Sequence, residues 1–121
     1  MSGKVLTIDD SQSVRQMISM TLGNSGFTVD EACDGAEGYD KATTGSYNAI
    51  LTDLNMPNMN GLDFIKKFRE HPSSRGVPII FLSTESDEES KREAKSAGAI
   101  GWIIKPFDPV SYTHLRAHET D

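Results

Sequence analysis

Several things are scarce in this 121-residue chain. Cysteine occurs once, at Cys33, so no disulfide can form within the chain and a reducing compartment is expected. No apolar run approaches the ~20 residues needed to cross a membrane. The opening MSGKVLTIDD reads as the start of a strand and lacks the apolar stretch of a signal peptide. A cytoplasmic protein without membrane insertion is therefore expected. Basic residues are outnumbered: 12 Lys and Arg stand against 18 Asp and Glu, a formal net charge of -6. That deficit argues against direct nucleic-acid binding, which needs clustered cations, and favours a cationic ligand or a partner with a basic face. Internal repeats, low-complexity segments and linkers are missing too, and the length suits one domain. Hydrophobic residues, at 36%, suffice for a single core covered by helices.

What is present is a regular alternation. Short apolar runs are followed by amphipathic stretches, the pattern of repeated βα units around a parallel sheet. Val5–Ile8 reads as the first strand, and Val14, Met17, Ile18 and Leu22 recur at helical spacing after it. Asn24–Gly26 breaks that helix, and Phe27 to Ala32 gives a second, weaker strand. Asp34 can cap a second helix that turns Ala36, Tyr39 and Ala42 inward. Ala49–Thr52 is nearly all apolar, as expected of a strand buried on both faces. A loop, Met56–Gly61, precedes a third helix marked by Leu62, Ile65 and Phe68. Val77 to Leu82 is the fourth strand. Ser86 and Glu89 form a capping box that opens a charged fourth helix ending near Gly98, and Gly101–Ile104 is the fifth strand.

In an open α/β sheet, ligands sit beyond the carboxyl ends of the strands, where the strand order reverses. Asp9 and Asp10 follow the first strand, Asp53 the third, Ser83 and Thr84 the fourth, and Lys105 the fifth. If the sheet order is 2-1-3-4-5, strands one and three are neighbours at the switch point, and all these groups then converge on one rim. Taken singly, an Asp-Asp pair is usually a cap or a solvated turn, a Lys-Pro a surface turn, and a strand-end hydroxyl a capping group. Their joint occurrence at four strand ends is much harder to dismiss. Two carboxylates about 5 Å apart repel by about 3 kcal/mol at an effective dielectric near 20, so three of them imply a cation. Oxygen-only donors favour Mg2+.

With these residues the sequence resembles response-regulator receiver domains, from Lys4 to about Pro109. The resemblance rests on Ile8-Asp9-Asp10, Asp53-Leu54-Asn55-Met56-Pro57 with Gly61, Leu82-Ser83-Thr84, and Lys105-Pro106-Phe107. It implies a flavodoxin-like, doubly wound, five-stranded parallel sheet in the order 2-1-3-4-5. Asp53 is then the acceptor of a phosphoryl group from a partner histidine kinase. Asp10, Asp53 and the backbone carbonyl of Asn55 would hold Mg2+, with Asp9 acting partly through water. Ser83 would hydrogen-bond the phosphoryl group and Lys105 would pair with another of its oxygens, a cis Lys105–Pro106 bond aiming it inward. Gly61 is expected to serve the turn before the third helix. Trp102 stands where the family usually carries a Tyr or Phe that switches together with Ser83. Asn55, Thr84 and Glu85 occupy positions that tune phosphoryl access and loss. The Gly101–Phe107 run, together with Asn55–Met59, is similar to chemotaxis receivers. This implies a flagellar motor switch protein or a phosphatase as further partner, and signalling by conformational change. Such a protein is no enzyme in the usual sense, although it assists its own phosphorylation and dephosphorylation.

Val110 to Asp121 does not fit the pattern. Tyr112 and Leu115 are its only large apolar groups beyond Val110, too few for a fifth helix, which is expected to be missing or degraded. Residues 1–109 are accordingly read as the domain. Residues 110–121 are an atypical tail, a scar of cloning or sequencing. The sheet face so left open is expected to favour a dimer or a destabilised monomer. His114 and His118 have metal-pair spacing but lie in that tail and are not taken as ligands. Met17, Met20, Met56 and Met59 read as packing or loop residues, and Asp87-Glu88-Glu89 as the acidic first turn of a helix. Three other readings fit the residues less well. An aspartyl-phosphate phosphotransferase or phosphatase lacks a cap domain and a second acid; a flavin module lacks a Ser/Thr/Gly phosphate cradle; a pseudo-receiver would not fill every chemical position. A receiver cut from a longer regulator stays open.

Overall fold

The computed structural model describes residues 3–54, 59–83 and 88–104. Five strands alternate with four helices: β1 (Lys4–Ile8), α1 (Gln12–Asn24), β2 (Thr28–Ala32), α2 (Gly35–Thr44), β3 (Ala49–Asp53), α3 (Gly61–Arg69), β4 (Ile79–Ser83), α4 (Glu88–Ala97) and β5 (Gly101–Ile104). A short 3-10 turn, Pro72–Ser74, precedes β4 and had no counterpart in the sequence reading. All strands are parallel, in the order β2-β1-β3-β4-β5. The expected sheet is therefore the observed one. The missing or degraded fifth helix and the boundary at 109 fall outside the described residues.

Helix ends follow local chemistry. Ser11 caps α1, its hydroxyl accepting from the Val14 N–H at 3.4 Å. Asp34 caps α2 by accepting from the Glu37 N–H at 2.8 Å, while the Glu37 carboxylate accepts from the Cys33 N–H at 2.7 Å. Those bonds from Cys33 hold the Glu37 carboxyl below its usual range. Asn60 caps α3 through the Asp63 N–H at 2.8 Å. The capping box expected at Ser86 lies outside the described residues. The fourth helix ends at Gly98, whose φ of 116° is left-handed and whose N–H returns to the Lys95 carbonyl at 3.1 Å.

Among the described residues, the two faces of the sheet are covered by different numbers of helices. On one face Leu6, Ile8, Ile50, Ile79 and Phe81 pack under Phe64, Ile65 and Phe68 of α3 and Ala94 of α4. On the other, Val14 and Ile18 of α1 pack on Leu82, with Leu22 and Leu51 beside them. An apolar cavity of about 140 Å³ adjoins α1, lined by Ile18, Thr21, Leu22, Leu51, Leu82 and Ile103. The third strand is consequently not buried on both faces throughout, since Leu51 is half-buried. The second helix also differs from expectation. It turns Gly35, Gly38 and Ala42 inward, while Ala36 is exposed. A Cβ on Gly38 would lie 2.4 Å from the Ile8 side chain, so glycine permits α2 to approach β1 closely, and glycine carries no hydrophobic signal. At the foot of the sheet Arg69 binds three carbonyls, of Ser74 at 2.7 Å, Val77 at 2.8 Å and Gly98 at 3.0 Å. That clasp joins the ends of α3 and α4 to the start of β4, and its burial lowers the guanidinium pKa.

Candidate functional site

The rim expected from the sequence exists at the carboxyl ends of the strands. Ile8 pairs with Thr52 across β1 and β3, so the residues that follow, Asp9 and Asp53, emerge side by side where the strand order reverses. Carboxylate oxygens of Asp9, Asp10 and Asp53 lie within 4.8 Å of one another. Asp9 and Asp53 are buried, at 0% and 7% exposure, whereas Asp10 is exposed. Ser83 ends β4 and is also buried. The expectations for Asn55, Thr84, Glu85, Lys105 and the Lys105–Pro106 bond concern residues outside the described ones.

Main-chain donors aim two of the three carboxylates. The Asp53 Oδ1 accepts from the Leu54 N–H at 2.9 Å, and the Asp9 Oδ1 accepts from the Ser11 N–H at 2.8 Å. The Leu54 N–H also reaches the Leu82 carbonyl at 3.3 Å, and the Leu54 carbonyl accepts from Gly61 at 2.9 Å. Asp53 is thus fixed between β4 and the first residue of α3. At that spot stands Gly61, at the start of α3 as expected, and it is not among the glycines with positive φ in the described residues, Gly26, Gly76 and Gly98. What it provides is room: a Cβ there would stand 2.3 Å from the Asp53 carbonyl oxygen and 2.5 Å from Phe81.

Arg15 is the polar residue of this region that the sequence reading passed over. Its Nη1 donates to the Asp9 carbonyl at 2.5 Å and its Nε to Glu31 Oε1 at 3.1 Å. The available signal was an Arg one helical turn beyond the capping Ser11. Trp102, half-buried on β5, tilts against Phe81 with ring centroids 5.7 Å apart, on the strand that pairs with β4.

Three anionic oxygens held this close repel strongly, by about 3 kcal/mol per pair at an effective dielectric of 20. Oxygen donors only, two buried and one open to solvent, fit a hard divalent cation that keeps part of its water shell. No sulfur or nitrogen ligand takes part in the group, which disfavours zinc or copper.

Comparison with known proteins agrees with this geometry. The model of the response regulator receiver domain family matches residues 5–115. The transcriptional regulatory protein SrrA of Staphylococcus aureus is 37% identical over 109 residues, 90% of this chain and 44% of that protein. The chain thus spans less than half the length of that curated relative. Among solved structures, the chemotaxis response regulator CheY4 of Vibrio cholerae superposes with a TM-score of 0.84 at 41% identity, covering 98% of each chain. A response regulator protein from Burkholderia multivorans gives a TM-score of 0.72 at 40% identity, covering 100% of this chain and 97% of that one.

Proposed function

The chain belongs to the response regulator receiver domain family, and from that premise we propose that it accepts a phosphoryl group on Asp53 from the phosphohistidine of a partner histidine kinase, in a reaction that requires Mg2+. The observation that carries this reading is the packing of three carboxylates within 4.8 Å at the reversal of strand order, with Asp53 central and buried.

The step is a displacement at phosphorus. An oxygen of Asp53 forms the new O–P bond as the N–P bond of the phosphohistidine breaks, and the imidazole leaves with its ring proton in place. Phosphoryl transfer depends mostly on positioning and charge neutralisation, and the chain's residues serve those two needs. Leu54 N–H fixes one oxygen of Asp53, so the carboxylate cannot rotate freely. Asp9 and Asp10, with Asp53, would hold the cation, the carbonyl of Asn55 completing the protein's share. Bound Mg2+ would supply the positive charge that neutralises carboxylate and phosphoryl oxygens. Ser83, buried at the end of β4, would donate to the transferred group, and Lys105 would pair with it. Residues 1–109 would form the working domain and 110–121 a tail outside it.

The chemotaxis reading, with a flagellar motor switch protein as partner, draws support from the mutual 98% coverage with CheY4. The SrrA match, at 44% of that protein's length, favours instead a receiver belonging to a longer regulator. Titrating a motor switch protein with the beryllofluoride-treated chain separates the two: tighter binding than by the untreated chain supports chemotaxis. For the phosphoacceptor itself, acetyl phosphate with Mg2+ should add one phosphoryl group. Chelation or Asp53→Asn should prevent it, and full labelling of that variant would overturn the assignment.

A further inference from the structure

We infer that Arg15 is a positioning residue for the cation site, an inference that rests on the magnesium-dependent reading above. Asp10 is exposed, and its carboxylate lies within 4.8 Å of the like charges of Asp9 and Asp53, which repel it. Something must hold the Asp9–Asp10 segment against that repulsion. The Asp9 backbone is gripped on both sides: its N–H donates to the Ala32 carbonyl at 3.0 Å, and its carbonyl accepts from Arg15 at 2.5 Å. That carbonyl belongs to the planar peptide joining Asp9 to Asp10, so fixing it fixes where the Asp10 N and Cα stand, the point from which its side chain leaves.

Arg15 is itself held. Its Nε donates to Glu31 Oε1 at 3.1 Å, and the other Glu31 oxygen accepts from the Ser19 hydroxyl at 2.9 Å. Arg15 is 15% exposed and Glu31 36%. The Glu31 carbonyl accepts from Lys41, which ties the same point of β2 to α2. A chain of contacts thus runs from β2 through α1 to the acidic loop. The guanidinium has two donors in fixed geometry pointing two ways, a task that a single ammonium does not reproduce. Losing Arg15 leaves Glu31 uncompensated, a change of field that by itself would tighten cation binding, so weaker binding reports the geometry of the acidic loop.

Outer contacts that orient metal ligands are worth about tenfold or more in metal affinity. The test uses the full chain with Mn2+ as spectroscopic probe, binding being read from loss of the free-ion electron paramagnetic resonance signal. In parallel, the Mg2+ concentration giving half-maximal labelling by acetyl phosphate is measured. Arg15→Gln should raise both the Mn2+ dissociation constant and the half-saturating Mg2+ about tenfold, while the maximal labelling rate at saturating Mg2+ stays near that of the unmodified chain. Arg15→Lys should fall between the two. Glu31→Gln, which keeps the packing of Arg15, should shift both constants in the same direction. Combined with Arg15→Gln it should add nothing, because both substitutions break one chain of contacts. Should Arg15→Gln fail to fold, Arg15→Lys, which keeps the charge and loses the fork geometry, decides alone. Unmoved constants in a folded variant would overturn the inference, as would a fall in maximal rate and thermal midpoint without a shift in half-saturation. Failure of the unmodified chain to bind Mn2+ or to label would overturn the proposed function, and this inference with it.

Discussion

Replacing Gly61 by Ala should damage stability and phosphorylation together, through a collision of known size. The added Cβ would lie 2.3 Å from the Asp53 carbonyl oxygen, 0.7 Å short of the 3.0 Å that Cβ contacts require. The obstructing atom is backbone, held in β3, so no side-chain rotation can relieve it. Phe81 blocks the other direction at 2.5 Å and is itself fully buried. Either α3 moves away from the sheet or the end of β3 shifts, and both displace Asp53 and lengthen the 2.9 Å bond from Gly61 to Leu54. Overpacking of this kind costs about 1–3 kcal/mol, which in a domain of this size lowers the thermal midpoint by about 4 °C per kcal/mol. Gly23→Ala is the control. Gly23 lies in α1 with nothing within 4 Å of a Cβ, so alanine there should stabilise by about 0.5–1 kcal/mol through helix propensity alone. Thermal melts of both variants, with acetyl phosphate labelling at saturating Mg2+, decide it. A Gly61→Ala protein that melts with the unmodified chain and labels at its rate would refute the close-approach account.

The remaining expectations concern the clasp, an ion site and the sole tryptophan. Arg69→Met should destabilise by about 2–3 kcal/mol, since it strips charged hydrogen bonds from three carbonyls; a loss under 0.5 kcal/mol in urea unfolding would show that water replaces them readily. Tyr47→Phe removes the hydroxyl that donates to Asp30 at 2.7 Å, the main cause of that carboxyl's lowered pKa. A depressed carboxyl stabilises above its unfolded value, about 3.9, and the benefit disappears as pH falls through its folded value. The variant should therefore be weaker at pH 7 by less than about 1 kcal/mol, Asp30 being partly exposed. The gap should shrink only as pH falls below about 4 and through the folded value, and urea unfolding with an equal gap at about pH 7 and about pH 2 would contradict this. Trp102 lies between Phe81 and a cavity bordered by Lys91, Ala94 and Lys95 of α4. Mg2+ with beryllofluoride should change its fluorescence, and an unchanged signal at saturation would mean that the indole is fixed.

Most strands were legible as short apolar runs, β2 with Thr28, Asp30 and Glu31 being the weak one, and the strand order followed from the resemblance to receiver domains. The acidic rim was legible because chemistry-bearing residues immediately follow the strands: Asp9 and Asp10 after β1, Asp53 at the end of β3. What stayed hidden depends on contacts rather than on composition. Gly35, Gly38 and Gly61 are buried because neighbouring chain comes too close for a side chain, and a sequence shows a glycine without showing what it touches. Ala36 was placed inward on its apolar character, yet the close approach of two glycines rotates the helix so that it faces water. Arg15 and Arg69 drew no notice in the sequence: each reaches backbone carbonyls, Arg15 that of Asp9 and Arg69 that of Gly98 among others, and a carbonyl partner leaves no mark in residue type.

Locating the phosphoryl group tests the central claim most directly. The chain is treated with acetyl phosphate and Mg2+, then with borohydride, which reduces an acyl phosphate to an alcohol and so converts the modified aspartate to homoserine. Peptide mapping by mass spectrometry then reads the position. The account predicts homoserine at residue 53 alone, dependent on Mg2+. Homoserine at Asp9 or Asp10, or conversion unaffected by chelation, would contradict it.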